Sequence, residues 1–583
     1  MAKDDGEMQQ TLLPSLSGCT DAVDWPTRPD EDSLGGRKCY CCVLEMLSLQ
    51  ILKLFFGSSD ASWKSQCAIA LVQTAVYGVI FNLFMFLVFK GETNAAAAAT
   101  VGSVTGTMMI SSFLGAFVCD AYMGHLWTSL IFQSLSTLFY VLLGISVTVP
   151  NIGRPLLFVS LYMIAISTGA IVPTLIGLGL DQLNSNKEKF AYFHLASSSG
   201  SVGHLLSATL IAYLDDKHMW SFGFWTCTTA SIIALALLSV GLRWFRHSRP
   251  SQNPFLHYLQ VLVAAFLKRE LTLPENLEIL HEFKNVTSVV PGCRTLPHTS
   301  TLRFLDKAAL LDVQGTANSW HLCTVTEVEE VKSLIWVIPA GVSPLFFVVA
   351  ISQINTLFQE QAVLMNRHLG KWLEMPPASL NILATVGSIL TGLTMAAVRA
   401  SILGQYVGSS GHSRNRSVTS FKLVGTALLC GIIAMVMSAL VESYRLKSAL
   451  RREILSVMWL VPQTLLLGLG TNLMESGIFD FFISELSYNM HSTGACIVLI
   501  FSGAGSYLNS LLVTIITSIT THSGQAGWIA DNLDEGHIDY YYWLIACCVA
   551  LALGFHITYA YMYQRYRYVI TNEIRCVDTE EIS

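Results

Sequence analysis

The chain has 583 residues and a formal net charge of −6, with 52% hydrophobic and only 13% charged residues. A soluble chain carries roughly 25% charged residues, so the deficit points to lipid as the surrounding solvent, and the acidic balance gives nucleic-acid binding no electrostatic footing. The 14 cysteines are scattered, many of them (Cys67, Cys227, Cys430, Cys547) inside apolar runs, as small buried residues would be rather than a disulfide framework.

In chain order, residues 1–62 open on MAKDDGEMQQ, which lacks the basic start and short apolar core of a signal peptide. They read as a cytosolic tail, and its RKCYCC stretch at 37–42 reads as ordinary thiols, with S-acylation the alternative. About twelve apolar stretches follow, near 67–89, 97–119, 127–149, 155–180, 191–214, 220–242, 334–356, 377–398, 420–441, 455–479, 494–520 and 540–563. Each reaches the roughly 20 residues that a helix needs to span the hydrocarbon core. The expectation is an all-α membrane protein of about twelve transmembrane helices. A polar, basic segment from Arg243 to Lys332 divides them. The predicted organisation is a tail (1–62), a six-helix bundle (63–242), a cytosolic linker (243–332), a second six-helix bundle (333–565) and a cytosolic tail (566–583). Lys187, Lys189, Arg414, Arg416, Arg565 and Arg567 place further positive charge on the linker's side, as the positive-inside rule asks. The stretch ESYRLKSALRRE after the ninth span disagrees. An Asn285-Val286-Thr287 glycosylation sequon falls in the linker, where a cytosolic position excludes its use.

Polar residues inside the spans are candidate site residues. Gln73 and Tyr77 are i, i+4 neighbours on one helix face and are expected to face a cavity. Asn82 falls on roughly the opposite face and is expected to hydrogen-bond between helices. Glu475 is an intramembrane carboxylate one turn beyond Thr471, with pairing to Asn472 as the structural alternative. No spacing indicates a metal-ligand set, a nucleotide loop or a nucleophile–base constellation. No metal, cofactor or enzymatic activity is therefore expected.

Six spans, a basic loop and six more spans resemble the layout of major-facilitator transporters, where solute sits between two bundles near the midplane. The loops are more specific. GAFVCDAYMGHLW (115–127) resembles the major-facilitator loop between spans two and three. GLGLDQL (177–183), FLDKAA (304–309), WHLCTVTEVEEVK (320–332), SQINTLFQEQAVLMNRHLG (352–370) and GWIADNLDEGHIDYYYWL (527–544) together resemble the plant nitrate/peptide transporter family, within the proton-dependent oligopeptide transporter superfamily. The resemblance runs from about Trp63 to Tyr566, in the expected order.

It implies alternating access by two bundles, and solutes such as nitrate, peptides, plant hormones or specialised metabolites. It also implies that Gln353 and Thr356 line the pathway, that Thr471 and Asn472 border it, and that Asp120, Gly124, His125 and Arg399 serve gating or bracing. His125 stands where the family has an arginine, which weakens that brace at neutral pH. The family's first span carries Glu-x-x-Glu-Arg; here those positions hold Ile69, Val72 and Gln73. The family's lysine of span four is Val172, its glutamate of span ten is Thr471, and its acid before Arg399 is Val398. A buried charge without a partner is costly, so joint loss of both signs leaves a consistent neutral site.

The expected function is a secondary transporter of a small organic or anionic solute, weakly or not proton-coupled. The alternatives are a proton symporter with Glu475 as the replacement proton site, or a non-transporting sensor retaining the fold. The expected partners are that solute and the bilayer, either plasma or vacuolar membrane. Span five adds His194, read as a neutral packed histidine.

Overall fold

The computed structural model describes residues 60–149, 154–183, 186–246, 254–271, 298–299, 301–310, 320–370, 373–405, 412–486, 491–521 and 527–580. The cysteines at 39–42 and the Asn285 sequon lie outside these residues. Helices dominate, because in hydrocarbon a helix satisfies its backbone polar groups within one segment. The first half comprises α1 (Asp60–Phe89), α2 (Asn94–Val118), α3 (Gly124–Thr148), α4 (Arg154–Asp181), α5 (Asn186–Leu206), its short continuation α6 (Ala212–Asp216), and α7 (Trp220–Gly241). A linker helix, α8 (Pro254–Leu267), follows. The second half comprises α9 (Val325–Val337), α10 (Val342–Ser352), α11 (Leu357–Val363), α12 (Leu380–Gln405), α13 (His412–Leu450), α14 (Val461–Glu485), α15 (His491–Thr520) and α16 (Ile538–Glu580).

Among the described residues, ten helical stretches are long and apolar enough to cross a membrane, and one of them, Asn94–Thr148, contains both α2 and α3. The more polar α5 lies between α4 and α7 in the chain. Gly124 adopts φ 70° at the junction of α2 and α3, a left-handed conformation that favours glycine. The seventh span is broken twice by 3-10 turns, at Ile338–Gly341 and Gln353–Asn355; Pro339 removes a backbone donor at the first break. The strands among the described residues form one short hairpin, pairing His368–Leu369 with Leu373–Glu374.

Within the first half α1 packs on α4, α5 and α7, and within the second α14 packs on α12 and α13. The halves meet along α2 and α15. Small residues allow that approach: a Cβ on Gly106 would lie 3.0 Å from the carbonyl oxygen of Gly503, and one on Gly503 would lie 2.9 Å from that of Gly106. Ser510 Oγ donates to the Ala99 carbonyl at 2.7 Å, and Asn94 Nδ2 donates to the Ala530 carbonyl at 3.1 Å. Beyond the membrane-spanning core, Arg367 beside the hairpin pairs with Asp216 of α6 at 2.5 Å and with Glu374 at 2.7 Å, so an ion-pair cluster also joins the halves.

Two buried ionic groups explain motifs that hydropathy cannot. Lys332 Nζ lies 2.7 Å from Asp306 and 2.7 Å from Glu329, all three almost fully buried. Thr299 donates its backbone N–H and hydroxyl to Glu329 at 3.0 and 2.7 Å. The linker is thereby anchored to α9, whose start is fixed by a Thr324–Glu327 capping box. In ESYRLKSALRRE, Arg445 is buried and bonds Glu442 at 2.8 and 2.9 Å and Asp534 at 2.6 Å. It is an interior ion-pair residue at the end of α13, which accounts for one of the basic residues that disagreed with the charge pattern.

Removing one partner of a buried ion pair costs about 3–5 kcal/mol. Lys332→Met is therefore expected to lower the melting temperature and monodispersity of the purified protein sharply. Adding Asp306→Asn and Glu329→Gln should recover much of the loss. A single variant melting like wild type would contradict the assignment.

Candidate functional site

The site is built where α1 and α5 touch. A Cβ on Gly203 would lie 2.6 Å from the Ala70 carbonyl oxygen and 2.8 Å from Gln73 Cβ, so only a glycine permits this approach. Ser207 Oγ donates across the contact to the Thr74 carbonyl at 2.9 Å. Gln73 therefore packs on the Gly200–Gly203 face of α5. One turn on, the rings of Tyr77 and His204 lie 3.9 Å apart between centroids, and Phe81 is 5.1 Å from Tyr77. His204 Nε2 is buried without a hydrogen-bond partner. Sequence reasoning missed this histidine; its signal was the Gly203–His204 pair inside an apolar helix, since a glycine marks close backbone approach and a histidine does not belong to an apolar face.

Ile69 and Val72, at the positions where the resembled family carries glutamates, are 3% and 4% exposed. They belong to one apolar cluster with Ile171, Leu175, Tyr192 and Ala196, and Val172 packs against it. A lone charge in this cluster would cost several kcal/mol. The neutral set is thus a packed surface.

From the second half, α14 brings Thr471, Asn472 and Glu475. The Thr471 hydroxyl bonds the Leu467 carbonyl at 2.8 Å, and Asn472 Oδ1 accepts from Ser476 Oγ at 3.4 Å. Asn472 faces α12, its Nδ2 lying 3.5 Å from where a Cβ on Gly392 would sit. Glu475 takes neither as partner. It lies deep among protein atoms yet keeps an exposed side chain, the combination expected of a group on a water-accessible cavity, and it is within electrostatic reach of Tyr77.

The pathway residues of the seventh span are placed elsewhere. Gln353 is fully buried and donates to Val349 at 2.9 Å and Asn509 Oδ1 at 2.8 Å, while Tyr541 reaches the same Oδ1 at 3.4 Å. It fastens this span to α15 and α16. Thr356 is buried and its hydroxyl bonds the Ser352 carbonyl at 3.0 Å. Asn82 departs from expectation: its Nδ2 bonds the Gly78 carbonyl of its own helix at 2.9 Å, because a short amide reaches the preceding turn more readily than a neighbouring helix.

At the junction of α2 and α3, Asp120 lies in a π-turn spanning Cys119–Met123. His125 Nδ1 bonds Asp181 Oδ2 of α4 at 2.7 Å, over a slot left by Gly177, where a Cβ would lie 2.3 Å from the ring. The brace at His125 is therefore its bond to Asp181 of the GLGLDQL stretch. The side chains of His194 and Arg399 lie outside the described ones.

A model of the POT family (PTR2) matches residues 126–529. Protein NRT1/PTR FAMILY 8.1 of Arabidopsis thaliana is 33% identical over 530 residues, covering 85% of this chain and 91% of that protein. Protein NRT1/PTR FAMILY 7.3 of Arabidopsis thaliana is 32% identical over 557 residues, covering 87% and 89%. Among solved structures, an auto-inhibited POT family peptide transporter superposes with TM-score 0.65 at 16% identity, covering 86% of this chain and 97% of that one. A POT family transporter in complex with 5-aminolevulinic acid superposes with TM-score 0.60 at 12% identity, covering 87% and 97%.

Overpacking a tight helix contact costs about 1–3 kcal/mol. Gly203→Leu is expected to separate α1 from α5, lowering the melting temperature of detergent-purified protein and quenching any fluorescence signature of the Tyr77–His204 contact. An unchanged melt would show that the two helices do not meet at Gly203.

Proposed function

The chain belongs to the POT family of transporters and is an integral multi-pass membrane protein, and from that premise we propose that it carries a small organic solute by alternating access, binding it between Tyr77 of α1 and Glu475 of α14. The observation that carries this reading is Glu475: an exposed carboxylate on a membrane-spanning helix, with no hydrogen bond or ion pair among the described residues and within electrostatic reach of Tyr77. An unpaired ionisable group inside a membrane protein marks a solute or proton pathway.

Coupling through α1 has no support, since Ile69 and Val72 are sealed in an apolar cluster. Proton handling falls to Glu475 alone, and coupling is correspondingly weak. The charge balance also bears on the solute. Glu475 repels an inorganic anion such as nitrate, and the His204 ring stacked on Tyr77 is buried without a hydrogen-bond partner, where a positive charge is disfavoured. Neutral or amine-bearing organic solutes fit such a site better than small anions. One structural neighbour is in complex with 5-aminolevulinic acid, which bears an amine. The linker and both tails are cytosolic in this reading, and the membrane is the plasma or the vacuolar one.

A mass-spectrometric uptake screen in oocytes, run at acidic and at neutral external pH, tests it. Wild-type protein should take up an organic solute faster at the acidic pH. Glu475→Gln should still transport but lose that dependence. Surface-expressed protein with no uptake across a broad panel would contradict transport, and a pH dependence surviving in Glu475→Gln would remove Glu475 from proton handling.

A further inference from the structure

The turn that ends α2 gathers three different metal-ligating side chains. Ligand atoms of Cys119, Asp120 and His125 all lie within 4.8 Å of one another. A fourth candidate comes from the other half: Cys496, near the start of α15, is buried, and the antiparallel register that sets Ala99 against Ser510 and Gly106 against Gly503 brings it toward Cys119. We propose that these residues form a transition-metal site, for zinc or a similar borderline-soft divalent ion, that clamps the two halves together at this end of the α2–α15 seam.

The chemistry of the donors favours such an ion. Thiolate, imidazole and carboxylate together are a zinc-type set, whereas calcium and magnesium require oxygen donors. A zinc-bound histidine characteristically gives its second ring nitrogen to a carboxylate, which fixes the ring and strengthens it as a ligand. His125 has that arrangement: Asp181 holds Nδ1 at 2.7 Å, leaving Nε2 as the metal-facing donor. Tetrahedral coordination at about 2.0–2.3 Å requires the three groups to draw together slightly, which the turn allows because Asp120 and His125 are only partly buried. Their exposed edges also give the ion an entry path.

The position gives the site its consequence. At the opposite end of the seam Asn94 bonds Ala530 and Asp531, and the helices stay in contact through Gly106 and Gly503. Alternating access must separate α2 from α15 at one end or the other. An ion shared by Cys119, Asp120 and His125 of one half and Cys496 of the other would hold this end shut. The regulatory consequence rests on the transport reading above, but occupancy of the site does not, so binding is measured first.

Cobalt(II) is the probe, because a thiolate-bound, tetrahedral cobalt ion has a sulfur-to-metal charge-transfer band and visible absorption. Full-length purified wild-type protein should show this band, and zinc should displace it. Cys119→Ala should lack the part of the band due to this site. Asp181→Asn, which changes only the group positioning His125, should weaken binding by about 10–100-fold. Cys496→Ala should weaken it at least tenfold if the halves share the ion. A spectrum identical in wild type and Cys119→Ala would overturn the site, and one unaffected by Cys496→Ala would overturn the clamp. In vesicles, zinc should then inhibit uptake by wild type and spare Cys119→Ala; binding without inhibition would likewise overturn the clamp.

Discussion

An ionised side chain within a bilayer-embedded helix bundle must be paired or lie on water, and the arrangement of this molecule follows from that constraint. Toward the ends of the spans its charges are paired: Lys332 with Asp306 and Glu329, and Arg445 with Glu442 and Asp534. Where the family's coupling charges would stand in α1 and α4, the chain has Ile69, Val72 and Val172, packed as an apolar surface. Two carboxylates depart from this pattern: Asp215 is buried with Oδ1 unpartnered, whereas Glu475, without a described partner, is exposed.

The apolar packing at Ile69 and Val72 and the exposed carboxylate of Glu475 satisfy the same constraint in two ways. A glutamate placed at Val72 would be buried among Ile171, Leu175 and Ala196. Glu475 is exposed on α14, and Tyr77, within its electrostatic reach, is held by stacking on His204. The close approach at Gly203 sets that stacking, so the proposed solute site depends on backbone packing between α1 and α5 as much as on polar groups.

Much of the fold was legible in the sequence, because long apolar stretches and the basic linker follow directly from the cost of charge in hydrocarbon. The family was legible in loop motifs, and the structure gives those loops work: Asp306, Glu329 and Lys332 join linker to bundle, while the 527–544 stretch supplies Asp531 to Asn94 and Asp534 to Arg445. The site was legible only in part. Helical periodicity placed Gln73 and Tyr77 on one face, but the identity of the opposing surface depends on which helices touch, and nothing local to α1 points to His204. Gln353 shows the converse: its motif suggested a pathway, whereas its burial against Asn509 makes it a fastener. The breaks in the seventh span and the hairpin after it likewise arise from Pro339 and tertiary pairing, not from hydropathy.

The proposed function turns on a single carboxylate, Glu475, handling protons while Ile69 and Val72 are packed in an apolar cluster. The most direct measurement is the reversal of solute flux in proteoliposomes of the wild-type protein against imposed pH gradients, which gives the proton-to-solute ratio. The account predicts a ratio of no more than one. A ratio of two or greater would require a second titrating group in the cavity and would contradict it.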